Sequence, residues 1–193
     1  MRHSIVLEFE GYRLRPVSED DSEFIVQLRN APHVSGKMGV SAKTADQQNM
    51  WLQKYYDDKN DYYFIIEGKQ GQPIGTNSVY SIDTINMTGE TGRLAFISGY
   101  SGSALLCASI MLSDFCFYSL KLKSTYGNIV ANNQAVISLN KRVGYQIANY
   151  IPKGLKIGDD FVDAIHMVLM AERWNIIRPK LMNLVASFRY LTD

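Results

Sequence analysis

Apolar and polar positions alternate over residues 12–17 (YRLRPV) and the pattern stops at Pro16, which predicts a short strand. The following SEDDSEFIVQLRN opens on Ser18 as an N-cap with three acids in the first turn, where a helix dipole favours them. Phe24 and Leu28, four apart, mark the buried stripe of that helix. Thr44 caps a second predicted helix through ADQQNMWLQKYYDD, which Asn60 and Asp61 end. YYFIIEG and PIGTNSVYSID read as paired strands around the polar turn 69–72, and a further strand covers 90–97. The strand breaks at Ser98, a loop with Gly99 and Gly102 follows, and a long apolar helix then sets Ala104, Ala108, Met111, Phe115 and Ser119 along one side. A strand over Tyr126–Val130, a short helix over Gln134–Arg142 ended by Gly144, and two strands, Tyr145–Tyr150 and Phe161–Met170, around a Gly154–Gly158 turn come next. Pro179 reads as the start of a last helix, with Leu181, Leu184, Val185, Phe188 and Leu191 as its apolar stripe. The order β-α-α-β-β-β-α-β-α-β-β-α is an α+β, or mixed α/β, layout around a meander of antiparallel strands. The expected division is one domain over residues 1–171 and a C-terminal helical extension over 172–193.

Composition adds exclusions more than identity. The chain has 193 residues, 46% of them hydrophobic and 20% charged, which suits one domain with a sizeable core. A net charge of +1 with dispersed basic residues argues against nucleic acid or an acidic membrane as partner. No apolar stretch is expected to reach the roughly 18–20 residues of a membrane span. Glu8 and Glu10 break the N-terminal apolar run too early for a signal peptide, so the expected location is cytoplasmic. Cys107 and Cys116 lie too far apart along one predicted helix to bridge, and are expected as buried free thiols. His3, His33 and His166 are scattered without ligand spacing, so no metal site is expected.

The loop SGYSGSA carries small residues into a helix N-terminus, an arrangement that lets backbone N–H groups hold a phosphate. It contains no Lys or Arg and fits neither common glycine fingerprint. Four stretches around it resemble the GNAT superfamily of acetyl-CoA-dependent N-acetyltransferases, most closely the branch of ribosomal-protein, spermidine and nucleotide-aminosugar acetyltransferases. GYRLRPVSEDDSEFIVQLRN resembles the opening strand and helix, with the LRN ending at Asn30. YYFIIEGKQGQPIGTNSVYSID resembles the strand pair with its IG turn, NNQAVISLNKRVGY the Asn-led helix ending in Gly144-Tyr145, and GDDFVDAIHMVLM the closing strand. Together these span residues 11–171.

The resemblance implies a GNAT fold: a central, mostly antiparallel twisted sheet of six to seven strands flanked by helices, with the extra C-terminal helix. It implies acetyl-CoA as cosubstrate, no metal, and SGYSGSA as the pyrophosphate loop, with Phe96, Ile97, Tyr100, Ser101, Gly102, Ser103 and Ala104 along the cofactor. The family pattern there runs Arg or Gln, Gly, any residue, Gly, any residue, Gly or Ala; here it reads Ser101, Gly102, Ser103, Ala104, Leu105, Leu106. Leu106 narrows the groove if it faces it, and a plain helix-cap loop that no longer holds CoA is the alternative to the cofactor reading. Asn133 matches the family Asn that meets the pantetheine arm, and it also suits an N-cap. Asn140 fills a cofactor-side position where many relatives carry the Tyr that protonates the leaving thiolate. An amide is no acid at neutral pH, so that role falls to Tyr145, Ser138, Tyr100 or water.

Acetyl transfer needs a neutral amine, an oxyanion donor and a proton for the thiolate. Glu90, in ETGRL, is the candidate base by resemblance, against a bland role as a strand-end partner of Arg93 or solvent; Asp83 stands second. The oxyanion donor expected from the family is a backbone N–H within Leu94–Ile97. Asn30, Asn77, Tyr80 and Arg93 are the acceptor-side candidates. Trp51, Tyr55 and Tyr56 serve either as a stacking platform or as core. The expected partner is a small-molecule amine, with a nucleotide-linked aminosugar favoured. A ribosomal-protein-type N-terminal acetyltransferase and a non-catalytic GNAT-fold binding module stay open. So does the C-terminal helix, as a homodimer contact or as a cover for its own domain.

Overall fold

A computed structural model describes residues 1–39, 41–100 and 102–188. The chain starts with strands β1 (Leu7–Phe9) and β2 (Tyr12–Pro16) and helices α1 (Ser22–Asn30) and α2 (Ala45–Asp57). Strands β3 (Tyr62–Glu67), β4 (Pro73–Asp83) and β5 (Thr88–Phe96) lead into helix α3 (Gly102–Asp114), which runs on through a π-helical turn at Phe115–Ser119. Strand β6 (Ser124–Val130), helix α4 (Gln134–Val143), strands β7 (Gln146–Ile157) and β8 (Asp160–Met170), and helix α5 (Ala171–Phe188) complete it. The strands form one sheet in the order β1-β2-β3-β4-β5-β6-β8-β7, and every neighbouring pair is antiparallel except β5 with β6.

Local chemistry explains the boundaries. Before α1, the Ser18 N–H donates to Asp21 Oδ2 at 2.8 Å, and Arg15 from β2 grips the same carboxylate at 2.7 Å. Thr44 Oγ1 accepts from the Gln47 N–H to cap α2, and Asn133 Oδ1 accepts from the Val136 N–H to cap α4. Gly144 ends α4 at φ +113°, a conformation that suits glycine. On one face of the sheet α3, α4 and α5 share the main core, with Phe64, Ile110, Met167 and Trp174 buried in it. On the other, α1 and α2 pack Ile25, Leu52 and Tyr55 against Tyr63 and Ile65 of β3.

Three expectations change. The sheet has eight strands rather than six or seven, because Glu10 and Gly11, both at positive φ, fold Leu7–Phe9 back onto β2. The closing hairpin is longer than the sequence pattern shows: Gly154 lies inside β7, beside a register shift with Lys153 at φ +52°, and the turn proper is at Gly158. Helix α5 begins at Ala171 and runs through Pro179. It is clamped ahead of the proline, where Trp174 Nε1 donates to Asp114 Oδ1 at 3.0 Å and Arg178 Nε donates to the same oxygen at 2.7 Å. Its stripe covers its own domain, with Leu181 and Val185 buried against the core and Leu184 and Phe188 packed beside them; Leu191 lies outside the described residues. One segment, Gly102–Ser119, is long and apolar enough on average to cross a membrane, but 67% of it is buried inside the fold as the core helix. Cys107 and Cys116 are free and buried, and burial raises both thiol pKa values.

Candidate functional site at the β5–β6 splay

The single parallel pairing in the sheet is also a short one. Strands β5 and β6 register only through Thr88–Glu90 against Ser124–Tyr126. Beyond that point β5 stays with β4 and β6 with β8, so the sheet opens as a wedge. A cavity of about 440 Å³ fills the wedge, walled by β5, β6, α3 and α4, with residues of the α1–α2 loop at its rim.

Side chains alternate along β5, so Thr91 faces α3 while Glu90 faces the other side. At the base of the cavity Tyr145 is buried, its hydroxyl 2.8 Å from Thr91 Oγ1 and 2.9 Å from Thr125 Oγ1. Burial pushes its phenol pKa up to about 12. Phe96, Ile97, Tyr100, Asn133 and Asn140 all line the cavity. The Tyr100 hydroxyl accepts from Gln72 Nε2, and the Ile97 N–H is already given to Ile74 O at 2.9 Å.

Gly102, Ser103 and Ala104 form the first turn of α3 rather than the loop before it. A Cβ at Gly102 would meet nothing within 4 Å. Ser103 Oγ lies 3.2 Å from the Tyr12 hydroxyl, and Ala104 turns fully into the core. Ser101 lies outside the described residues. Leu106 is buried in the core and leaves the groove open, while Leu105 is the neighbour that lines it. Lys37 and His33 of the α1–α2 loop line the same cavity; His33 Nε2 lies 2.8 Å from Phe96 O, and Lys37 Nζ donates to His33 O at 3.0 Å.

A bulge re-aims β5 where it borders the cavity. Arg93 and Leu94 together oppose Asn77, with Arg93 at φ +53°. Thr76 Oγ1 donates to Arg93 O at 2.6 Å and Ser78 Oγ to Gly92 O at 2.9 Å, so β4 holds the bulge by its carbonyls. The Arg93 side chain turns away from the cavity into a bidentate pair with Asp61, both contacts 2.7 Å. Its guanidinium lies 4.4 Å from the Tyr80 ring centre, 5.1 Å from Tyr63 and 5.3 Å from Trp51. The sequence did not single out Asp61 as its partner, because residues 61 and 93 meet only through the β3–β4–β5 meander.

Glu90 shares this second face with Tyr80, its register partner, and burial of the ring, with the Glu90 carboxylate adding to it, raises the Tyr80 phenol pKa. Gly92 leaves the room: a Cβ there would sit 2.7 Å from the Tyr80 hydroxyl. Glu90 Oε1 accepts from Asn128 Nδ2 at 3.2 Å, and Asn128 Oδ1 meets His166 Nδ1 at 2.8 Å. Glu90 is outside the cavity lining, yet Asn128 reaches it. Asn128 and His166 escaped the sequence reading, since no local motif marks them.

The other candidates scatter. Asn77 is buried and lines the cavity, its Oδ1 accepting from the Ser78 N–H at 3.0 Å. Asn30 clamps the α1–α2 loop, giving Nδ2 hydrogens to Val26 O and Ala42 O and accepting from Lys43 Nζ. Asp83 holds the β4–β5 turn through the Ile85 and Asn86 N–H groups, which lower its pKa. Ser138 is exposed on α4. Tyr55 is core, with Trp51 stacked on it at 5.5 Å, and Tyr56 donates to Glu19 Oε2. Among the described residues no cluster of three or more His, Cys, Asp or Glu could hold a metal.

A family model described as the Acetyltransferase (GNAT) domain matches residues 12–146. The chain belongs to the GNAT family. It is an N-acetyltransferase of that family, whose members use acetyl-CoA as cosubstrate. Among solved structures, a GCN5-related N-acetyltransferase from Brucella melitensis is similar with a TM-score of 0.82 and 14% identity, over 95% of this chain and 86% of that one. A point variant of the spermidine N-acetyltransferase SpeG from Vibrio cholerae is similar with a TM-score of 0.75 and 18% identity, over 86% of this chain and 97% of that one. No curated protein sequence matches the chain. At these identities the structural likeness carries the fold, a GNAT mixed α/β sheet with an added C-terminal helix.

Proposed function

We propose that this GNAT enzyme transfers acetyl from acetyl-CoA to the primary amine of a small, hydroxyl-rich molecule of the nucleotide-linked aminosugar kind. In this reading the two substrates meet at the β5–β6 splay from opposite faces of the sheet. The observation that carries it is the pairing of a cavity on the α3 side with Glu90 on the other, joined through Asn128.

The first-turn amides of α3 at Gly102, Ser103 and Ala104 hold the pyrophosphate, since the first N–H groups of a helix lack intrahelical partners. Asn133, Asn140 and the β5 edge at Phe96 and Ile97 flank the pantetheine arm. The amine nitrogen attacks the thioester carbonyl carbon and its proton passes to Glu90, directly or through water. The oxyanion is met by backbone N–H groups at the Arg93–Leu94 bulge, because the Ile97 N–H is committed elsewhere. Collapse breaks the C–S bond. Tyr145 stays protonated at neutral pH and serves the thiolate as a hydrogen-bond donor, with water delivering the proton.

The acceptor follows from the charge on that face. Asp61 on that face is held by Arg93 and Asp83 by the N–H groups of its own turn, while Glu90 meets the neutral Asn128 amide. Phenols and amides at Tyr80, Asn128 and Tyr126 suit hydroxyls better than the several charges of a polyamine. The test is thiol release from acetyl-CoA with a UDP-linked aminosugar, spermidine and an N-terminal peptide as acceptors. The aminosugar should give the highest kcat/KM; turnover confined to spermidine or to the peptide would overturn the acceptor class.

A further inference from the structure

Glu90, Asn128 and His166 form a hydrogen-bonded chain across β5, β6 and β8 whose direction is set by charge. An ionised carboxylate has no hydrogen to give, so Glu90 takes the NH₂ end of the Asn128 amide. That leaves the amide oxygen for the imidazole, and an amide oxygen only accepts. His166 Nδ1 must therefore carry the hydrogen, and Nε2 of the neutral ring the lone pair. The sheet register holds the three groups in line, with Glu90 beside Tyr126 and Asn128 beside His166. The Tyr126 ring, 5.5 Å from the imidazole, packs alongside it.

We propose that His166 is a positioning residue for Glu90, acting through Asn128. Its Nδ1–H pins the Asn128 oxygen, so the amide presents NH₂ to one carboxylate oxygen and leaves the other turned to the incoming amine. With the imidazole gone the amide is free to rotate, and its oxygen can face the carboxylate, which pushes Glu90 out of place. This deepens the acceptor-face reading and rests on it.

Two measurements decide it. Long-range ¹H–¹⁵N spectra of the histidine-labelled full chain at pH 7.5, with His166 assigned by its loss in His166→Asn, should show the Nδ1–H tautomer in the wild type and a shift toward Nε2–H in Glu90→Ala. Thiol release with the UDP-linked aminosugar and with spermidine should fall on the order of tenfold or more in kcat/KM for the amine in His166→Phe. It should stay within about threefold in His166→Asn, whose amide N–H replaces Nδ1–H, and KM for acetyl-CoA should hold in both. An Nε2–H tautomer in the wild type, or equal losses in the Asn and Phe variants, overturns the proposal. If neither amine is acetylated by the wild type, the proposed acceptor class falls while the tautomer still judges the relay.

Discussion

The two faces of the β5–β6 splay are built from different materials. The α3 face is backbone, small residues and apolar side chains: a helix start at Gly102, a lining of Leu105 and Phe96, and one buried phenol, Tyr145, between two threonines. The opposite face is side-chain chemistry, with Glu90 tied to Asn128 and His166, and Arg93 held by Asp61 under three aromatic rings. Backbone amides recognise a phosphate whatever residues carry them, so on the proposed reading the first face should tolerate Ala104 and Leu106 at the family's small-residue positions. The second depends on individual functional groups, and single changes there should cost far more.

Glu90→Gln tests that contrast hardest. Loss of a general base should lower turnover by about 10²–10⁴-fold while the thermal shift with acetyl-CoA survives, because the carboxylate lies outside the cavity lining. Loss of both together would erase the distinction between the faces. Arg93→Met comes next, as it strands the Asp61 carboxylate in a buried setting at a cost of about 3–5 kcal/mol. Urea unfolding reads this directly, and Asp61→Asn in the same background should recover part of it; a loss below about 1 kcal/mol would mean that water reaches the pair.

On the first face the expected effect is smaller. Tyr145→Phe leaves Thr91 and Thr125 without their shared hydroxyl, a loss of about 1–3 kcal/mol in stability. Turnover should change by only a few-fold, since a buried phenol raised to about 12 is a far weaker acid than a thiol, whose ordinary pKa is about 8.5. A hundredfold drop in kcat would make it the acid after all.

The smallest effect is a slope. His3 sits against Tyr62 and Phe64, and burial lowers its pKa. The neutral ring therefore contributes its full stability above the ordinary histidine value of about 6.5, and that contribution is lost as pH falls toward the depressed folded-state pKa. The unfolding midpoint should drop from pH 7.5 to 5.5, and His3→Leu should flatten part of that drop; an unchanged slope in the variant would place the titration elsewhere.

The same contrast explains what the sequence disclosed. Element order, the α2 and α4 caps at Thr44 and Asn133, and the small residues at the α3 start are contiguous features, so alternation, spacing and capping chemistry reveal them. Which leucine faces the groove depends on the helix phase, and that is set by where α3 begins; Leu105 rather than Leu106 lines the cavity for this reason. Glu90 was visible by resemblance, but its partners were not. Asn128 and His166 are joined by β6–β8 register and Arg93 to Asp61 by the meander, and pairing across strands leaves no mark in a local window. Strand β1 was missed because it has three residues, and the start of α5 was placed too late because Pro179 looks like a start when the anchors that hold the helix ahead of it, Trp174 and Arg178, are tertiary.

The central claim is that the splay holds acetyl-CoA on its α3 face. A thermal-shift titration of the full chain with acetyl-CoA, up to millimolar, tests it most directly, with Ser109→Trp, a substitution that fills the cavity lining, as the control. A ligand at a hundred times its Kd adds about 2.7 kcal/mol, a rise on the order of 5–10 °C for a domain this size. The wild type should show that rise and Ser109→Trp should lose it. No rise in the wild type at any concentration, or the same rise in both proteins, would contradict it.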